Sequence, residues 1–455
     1  MKSLFNKLNN TKIFKGLSQQ EFAWVLYDVG NSAFTMLACS LVPVWFSNLV
    51  LETGANQLKA TSMWGYIQAA ITVILVVVGP VCGAIADHKD TRKILFSTSV
   101  FAGVTMCILT GFAWNWVIFT ILYMVARLFY QASLTFYDSM LNDVTTDERS
   151  DEVSSYGYAW GYIGSCIPFT LSLACAALGP LMLNIIPESV AKILAFAITG
   201  IWWLIVTMPL LKHYKQINYV EGKPHVGRAF KKIFATISRI AREDKKVGFF
   251  LLAFFLYIDG VFTIIDNCVT IGKAVGLNND ILLIIFLLLT QVVAWIGSLV
   301  FARLSKKYKT ITLLSICIAG YFVGSLYGLF IDSMLDFAIL AFIVGCFQGS
   351  IQSLSRSYYS RIIPDENSGE YFGLYDIFSK GASVLGSLII GIVSTKGDQA
   401  TGKITLDLLG KSVQIGSINL AIAMLCIFFF IGLILLRIAD KFPQSEESKK
   451  DIIGD

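Results

Sequence analysis

The feature that most constrains this chain is a succession of apolar blocks separated by short polar stretches. Each block is close to the ~20 residues that a helix needs to cross ~30 Å of hydrocarbon. Lipid offers the backbone no hydrogen-bond partner, so a chain of such blocks folds as spanning helices. Taken in order, the blocks predict helices over 19–49, 62–86, 94–113, 116–140, 154–178, 190–211, 247–271, 281–302, 311–331, 334–358, 371–394 and 415–437, twelve in all. With 55% of its 455 residues hydrophobic and 15% charged, the chain is too apolar for a water-soluble core.

Lysine and arginine set the orientation. Of the 36, 28 fall in segments that share one side if both termini lie there, while Lys59, Lys273, Lys396, Lys403 and Lys411 face the other. The basic side is cytoplasmic in membrane proteins, so a multi-pass protein with both termini in the cytoplasm is expected. The net charge of +5 reflects that orientation and implies no nucleic-acid partner. The first apolar block starts late, runs long and carries Asp28 and Asn31, so it reads as a retained span and not a cleaved signal. The nine cysteines stand singly within the predicted spans, and His88, His213 and His225 fall in loops. No disulfide, metal site or cofactor is expected. Without a nucleophile and base cluster or a nucleotide loop, there are no catalytic residues to name, and an enzyme is not the reading.

The longest hydrophilic stretch, Lys212 to Lys246, holds ten basic residues against three acidic ones and divides the spans six and six. It predicts an N-terminal six-helix bundle over 1–211, a basic cytoplasmic linker over 212–246, a C-terminal bundle over 247–440 and a tail over 441–455. Within the linker, Phe230, Ile233, Phe234, Ile237 and Ile240 recur at helical spacing with Arg228, Lys231, Lys232, Arg239 and Arg242 between them. This is the pattern of an amphipathic helix on an anionic leaflet, a solvated linker being the alternative. The halves echo each other weakly: Leu26-Tyr27-Asp28 with Leu256-Tyr257 and Asp259, Gly83 to Lys93 with Gly297 to Lys309, and Tyr156-Gly157 with Phe372-Gly373. Parallel repeats would produce such echoes.

Ionisable groups in the spans cost at least ~2.5–3.5 kcal/mol to insert, so each must be paired, wetted or functional. Ser18 to Glu21 reads as a capping box that starts the first helix and places Asp28 roughly 15 Å along its axis. Asp28, Asn31, Ser32 and Thr35 share one face of that helix, and Asp259, Thr263, Asp266 and Asn267 share one of the seventh. Arg127, Gln131 and Asp138 line the fourth helix, and Gln348, Gln352 and Arg356 the tenth. Lys380, with Asp376 one turn before it, lies in the eleventh. The functional reading is a solute or proton pathway through Asp28, Asn31, Arg127, Gln131, Asp259, Thr263, Asp266, Gln348, Gln352 and Lys380; the other is interhelical bonding that fastens the bundle. Asp138 and Arg356, near helix ends, read as gate or loop anchors. With no histidine in a span, any coupling proton would sit on a carboxylate, Asp259 or Asp28.

The loop after the second helix carries Gly83, Asp87, Arg92 and Lys93, and resembles the signature of the major facilitator superfamily. His88, Asp90 and Thr91 stand where an arginine, a glycine and an arginine are usual. The resemblance implies two six-helix bundles and makes Asp87 and Arg92 part of a cytoplasmic gate. The stretches from Trp24 to Phe34, Leu256 to Val261 and Phe347 to Ser357 are similar to the branch that contains the autophagy-related vacuolar amino-acid effluxers and their bacterial relatives. That resemblance implies an amino-acid-like or other small polar solute.

The expectation is therefore an all-α membrane protein of the major facilitator type. It would carry a small-molecule solute through the lipid bilayer as a monomer by alternating access, with protons as a candidate coupling ion. An exporter of amphipathic drugs or lipids is the second reading, since the 13% aromatic content could equally line an apolar cavity. A non-transporting solute receptor is the third. Short termini and compact loops suit a bacterial cell membrane, with a vacuole as the alternative.

Overall fold

The computed structural model describes residues 16–222, 226–267, 272, 280–381, 384–395, 403–408 and 411–443. It divides into two compact units. One holds residues 1–235 together with 363–377, the other 236–362 and 378–455.

The first unit contains α1 (Gln19–Leu51), α2 (Gln57–Ala86), α3 (Thr91–Gly111), α4 (Trp116–Ser139), α5 (Ser150–Ala176) and α6 (Glu188–His213). The capping box closes as the sequence predicts: Ser18 Oγ accepts the Glu21 amide at 3.1 Å and the Ser18 amide donates to Glu21 Oε2 at 2.6 Å. Asn56 and Asn115 cap α2 and α4, each side chain accepting the amide three residues on at 2.9 Å. A side chain that satisfies an orphan amide fixes where a helix starts. The stretch 112–115 between α3 and α4 is therefore a true break.

The second unit contains α7 (Lys245–Asp266), α8 (Asp280–Leu304), α9 (Thr310–Tyr327) and α10 (Met334–Ile362). Asp336 Oδ2 accepts from the Ser333 amide and hydroxyl, which makes the gap at Asp332 and Ser333 a second true break. Among the described residues, eleven spans are continuous, the last being α13 (Ser417–Lys441). Of the span expected over 371–394, the described residues form α11 (Ser368–Gly381) and α12 (Val384–Thr395), and residues 382 and 383 lie outside them. A short antiparallel hairpin, β1 (Lys403–Leu408) with β2 (Lys411–Gly416), precedes α13, so residues 415 and 416 end a strand where the apolar pattern suggested helix. The linker carries its own helix, Val226–Arg242.

Large apolar side chains are left exposed along the spans, among them Val73, Ile121, Ile205, Ile296, Phe342 and Ile392. In water such a surface would aggregate; here it is the face turned to lipid. Inside each unit the same seams recur. Tyr27 on α1 and Ser133 on α4 share a 2.6 Å hydrogen bond, as do Tyr257 on α7 and Ser355 on α10. A Cβ at Gly30 would lie 3.1 Å from the Trp203 carbonyl of α6, and one at Gly260 would lie 2.6 Å from the Phe429 ring of α13. Both glycines admit a neighbouring helix at close range. The repeat is thus in register at Tyr27 and Tyr257, and Asp28 and Asp259 stand one residue out of step with each other.

Candidate functional site

In the first unit the polar face of α1 meets α4. Asp28, 7% exposed, accepts the Tyr137 hydroxyl on Oδ2 at 2.8 Å and Asn31 Nδ2 on Oδ1 at 3.3 Å. Tyr130 reaches the same group: its hydroxyl lies 2.6 Å from Thr35 Oγ1 and donates to Asn31 Oδ1 at 3.5 Å. The Arg127 guanidinium lies over the Tyr130 ring, 5.2 Å from its centre, in cation–π geometry. Asp28, Asn31 and Arg127 are therefore brought into one cluster by two tyrosines. Gln131 is half-buried beside them, and Thr135, one turn further, donates to the buried Asp376 carboxylate of α11. Asp138, half-buried, lies near the C-terminal end of α4. Lys380 belongs to α11, and its side chain lies outside the described residues.

A second cluster in this unit gathers where α2 ends. Asp87 and Arg92 are both fully buried. Asp87 Oδ1 accepts Arg92 Nη2 at 2.8 Å and the Gly369 amide at 2.7 Å, and its Oδ2 accepts the Glu370 amide at 2.9 Å. These amides belong to the first turn of α11, where a carboxylate is favoured. Arg92 Nη1 reaches Asp143 Oδ2 at 2.7 Å and Arg92 Nη2 reaches Ser368 Oγ at 2.9 Å, so one guanidinium holds two acids and a hydroxyl. A Cβ at Gly83 would stand 2.1 Å from the Gly369 carbonyl, which explains a glycine on either side of this contact. Lys232 of the linker helix lies 3.0 Å from Glu370 Oε2, off the line of a hydrogen bond, and donates to Asn367 Oδ1 at 2.5 Å. Burial pushes the Asp87 carboxyl up to about 6, against the opposing pull of Arg92 and the two amides.

In the second unit Asp259 has no exposed surface. Its Oδ1 accepts the Gly386 amide at 2.8 Å and Thr263 Oγ1 at 3.2 Å, and its Oδ2 accepts the Leu385 amide at 3.2 Å. Asp259 thus accepts two amides of α12 from another helix, and these hydrogen bonds offset the cost of burying a carboxylate. Asp266 is exposed at the end of α7. Gln348 and Gln352 are half-buried one turn apart on α10, with Gln352 Nε2 donating to the Gln348 carbonyl at 3.1 Å, and Arg356 is buried one turn beyond.

Tyr130, Tyr137, Thr135 and Asp376 complete these clusters, and sequence reasoning did not select them as site residues. Tyr137 and Tyr130 fall in a run of aromatics that reads as apolar lining. Their distinguishing signal is helical phase, since Arg127, Tyr130 and Tyr137 repeat at i, i+3 and i+10 on the face shared with Asp138.

Comparison with known proteins assigns the architecture. Residues 18–443 match the family described as "Vacuole effluxer Atg22 like". The chain belongs to the Atg22-like family. A relative 36% identical over 442 residues, covering 96% of this chain and 99% of its own, is the "Uncharacterized MFS-type transporter YxiO" of Bacillus subtilis (strain 168). Autophagy-related protein 22-1 of Penicillium rubens is 25% identical over 67% of this chain, and the match spans 51% of that longer protein. Among solved structures, the proton:xylose symporter XylE superposes with a TM-score of 0.69 at 11% identity, covering 97% of this chain and 99% of that one. The human organic anion transporter MFSD10 does so at 0.67 and 13%, covering 92% and 98%. This Atg22-like protein is therefore a multi-pass transporter of the major facilitator fold, and not an enzyme.

Proposed function

We propose that this Atg22-like transporter moves amino acids or a similar small polar solute by alternating access, as a monomer in a bacterial cell membrane with both termini cytoplasmic. The observation that carries the reading is the Asp28 cluster. A carboxylate, a carboxamide and a guanidinium gather with two phenols roughly 15 Å into α1, where unpaired charge is most costly. A carboxylate suits an ammonium group and a guanidinium suits a carboxylate, so this set complements a zwitterion. The description of the family as effluxers supports export, and the relative from Bacillus supports a bacterial host.

In this reading Gln131, Thr263, Asp266, Gln348, Gln352 and Lys380 line the solute pathway, and Asp87, Arg92, Asp138 and Arg356 belong to the cytoplasmic gate. The division into bundles at 1–211 and 247–440, joined by the linker and followed by the tail, is part of the same proposal. The linker helix, with Phe234 and Ile237 exposed beside Arg239 and Arg242, would lie on the anionic leaflet.

Asp28 is also the proposed carrier of a coupling proton. When it is protonated, the Tyr137 hydroxyl can turn from donor to acceptor and stay satisfied. The backbone amides around Asp259 cannot turn, so Asp259 serves as a fixed acceptor.

The test is thermal stabilisation of the purified full chain by an amino-acid panel and by cationic dyes. Stabilisation by an amino acid, followed by its exchange in proteoliposomes, is the expected result. Stabilisation by dyes alone would favour an exporter of amphipathic drugs or lipids, and binding without exchange would favour a receptor.

A further inference from the structure

Within the second unit, α9 and α13 leave between them a groove of about 580 Å³, the size of a small-molecule site. Most of its wall is apolar, including Ile316, Ala319 and Ile434, with Ile316 48% and Ile434 44% exposed. One end differs. Arg437 and Lys441, one turn apart on α13, line the groove together with Thr312 from the first turn of α9. Both basic side chains are exposed, and among the described residues neither has a carboxylate within ion-pair distance.

These features specify one occupant. The groove opens on the flank of two membrane spans, where the surrounding medium is acyl chain. Its cationic end coincides with the start of α9 and the end of α13, at the boundary of the hydrocarbon. A soluble anion would find the charges but leave the apolar wall uncovered. A neutral lipid would cover the wall but leave two cations without a counter-charge. We infer that the groove between α9 and α13 is a binding site for an anionic phospholipid, its phosphate held by Arg437 and Lys441 and one acyl chain lying along Ile316, Ala319 and Ile434. Two cations near an anionic headgroup strengthen its binding by about 10- to 30-fold over a neutral one. The inference needs only the membrane-spanning character of α9 and α13, and does not depend on the transported solute.

The experiment uses the full chain, purified in detergent and examined by native mass spectrometry with phosphatidylglycerol or phosphatidylcholine. Wild type should retain phosphatidylglycerol about tenfold in preference. Arg437→Gln with Lys441→Gln should lose that preference, whereas Lys306→Gln with Lys307→Gln, an exposed pair removing the same charge, should keep it. Ala319→Trp, which fills the apolar floor and leaves the charge unchanged, should lower retention of phosphatidylglycerol in its own right. Equal retention by wild type and the Arg437/Lys441 variant would overturn the inference. So would retention unaffected by Ala319→Trp, or displacement of the bound lipid by millimolar inorganic phosphate, since each would mark a headgroup-only anion site.

Discussion

Asp259 Oδ1 accepts the backbone amide of Gly386 at 2.8 Å, so a side chain of one helix holds a backbone amide of another. Backbone amides within a membrane span find no partner in lipid. Here a single carboxylate answers two of them, at Leu385 and Gly386.

That relationship makes Asp259 a residue of stability. Asp259→Ala leaves both amides and the Thr263 hydroxyl without their acceptor, at roughly 1–3 kcal/mol for each buried group left unsatisfied. Asp259→Asn should cost less, because its remaining oxygen still accepts one amide. Thermal unfolding in detergent should rank wild type above Asn and Asn above Ala; an Ala variant as stable as wild type would mean these hydrogen bonds contribute nothing.

Asp28 should behave differently. Asp28→Asn mimics the protonated acid and keeps the contacts to Tyr137 and Asn31, so solute exchange without a driving gradient should persist while accumulation driven by a pH gradient is lost. Tyr137→Phe, which removes a hydrogen bond to a charged acceptor worth about 1.5–3 kcal/mol, should weaken both. Gradient-driven uptake unchanged in Asp28→Asn would remove the proton from this site.

Arg92 bridges Asp87 and Asp143, each oxygen lying within 2.8 Å of a guanidinium nitrogen. Arg92→Ala strands two buried acids and should cost on the order of 3–5 kcal/mol. Arg92→Lys should recover only part of that loss, since a single ammonium cannot reproduce the fork. Expression level and thermal stability of the two variants measure the difference.

The same cluster predicts a pH dependence. Asp87 titrates at about 6 in its buried place against an ordinary value of 3.8. An acid raised in this way stabilises the packed arrangement fully below 3.8, and the contribution fades as pH rises through about 6. After correction for intrinsic rates, hydrogen exchange at Gly369 and Glu370 should therefore be slower near pH 5 than near pH 7. Asp87→Asn should flatten that change.

Features carried by neighbouring residues were legible in the sequence. The spans follow from apolar length, the start of α1 from Ser18 and Glu21, and the similarity of the halves from Leu26-Tyr27 and Leu256-Tyr257. What escaped was set by distant partners. Nothing near Gly386 announces the partner of its amide, because Asp259 lies 127 residues away. Thr135 and Asp376 meet across 241 residues. The hairpin was closer to view: Lys403-Ile-Thr-Leu-Asp-Leu408 alternates with the period of a strand, but apolar block length dominates the reading of a membrane chain. The off-by-one register of Asp28 and Asp259 shows only once Tyr27 and Tyr257 are seen to bond equivalent serines.

The most direct measurement is counterflow of labelled amino acids into proteoliposomes holding wild type or Arg127→Gln, both confirmed as folded by thermal unfolding. A polar solute bound through the Asp28 cluster predicts that wild type accumulates label from at least one amino acid. Arg127→Gln should then fall by roughly tenfold or more, the loss of one charge-assisted bond to the solute. Equal counterflow in the two proteins, or none from the whole panel in wild type, would contradict the account.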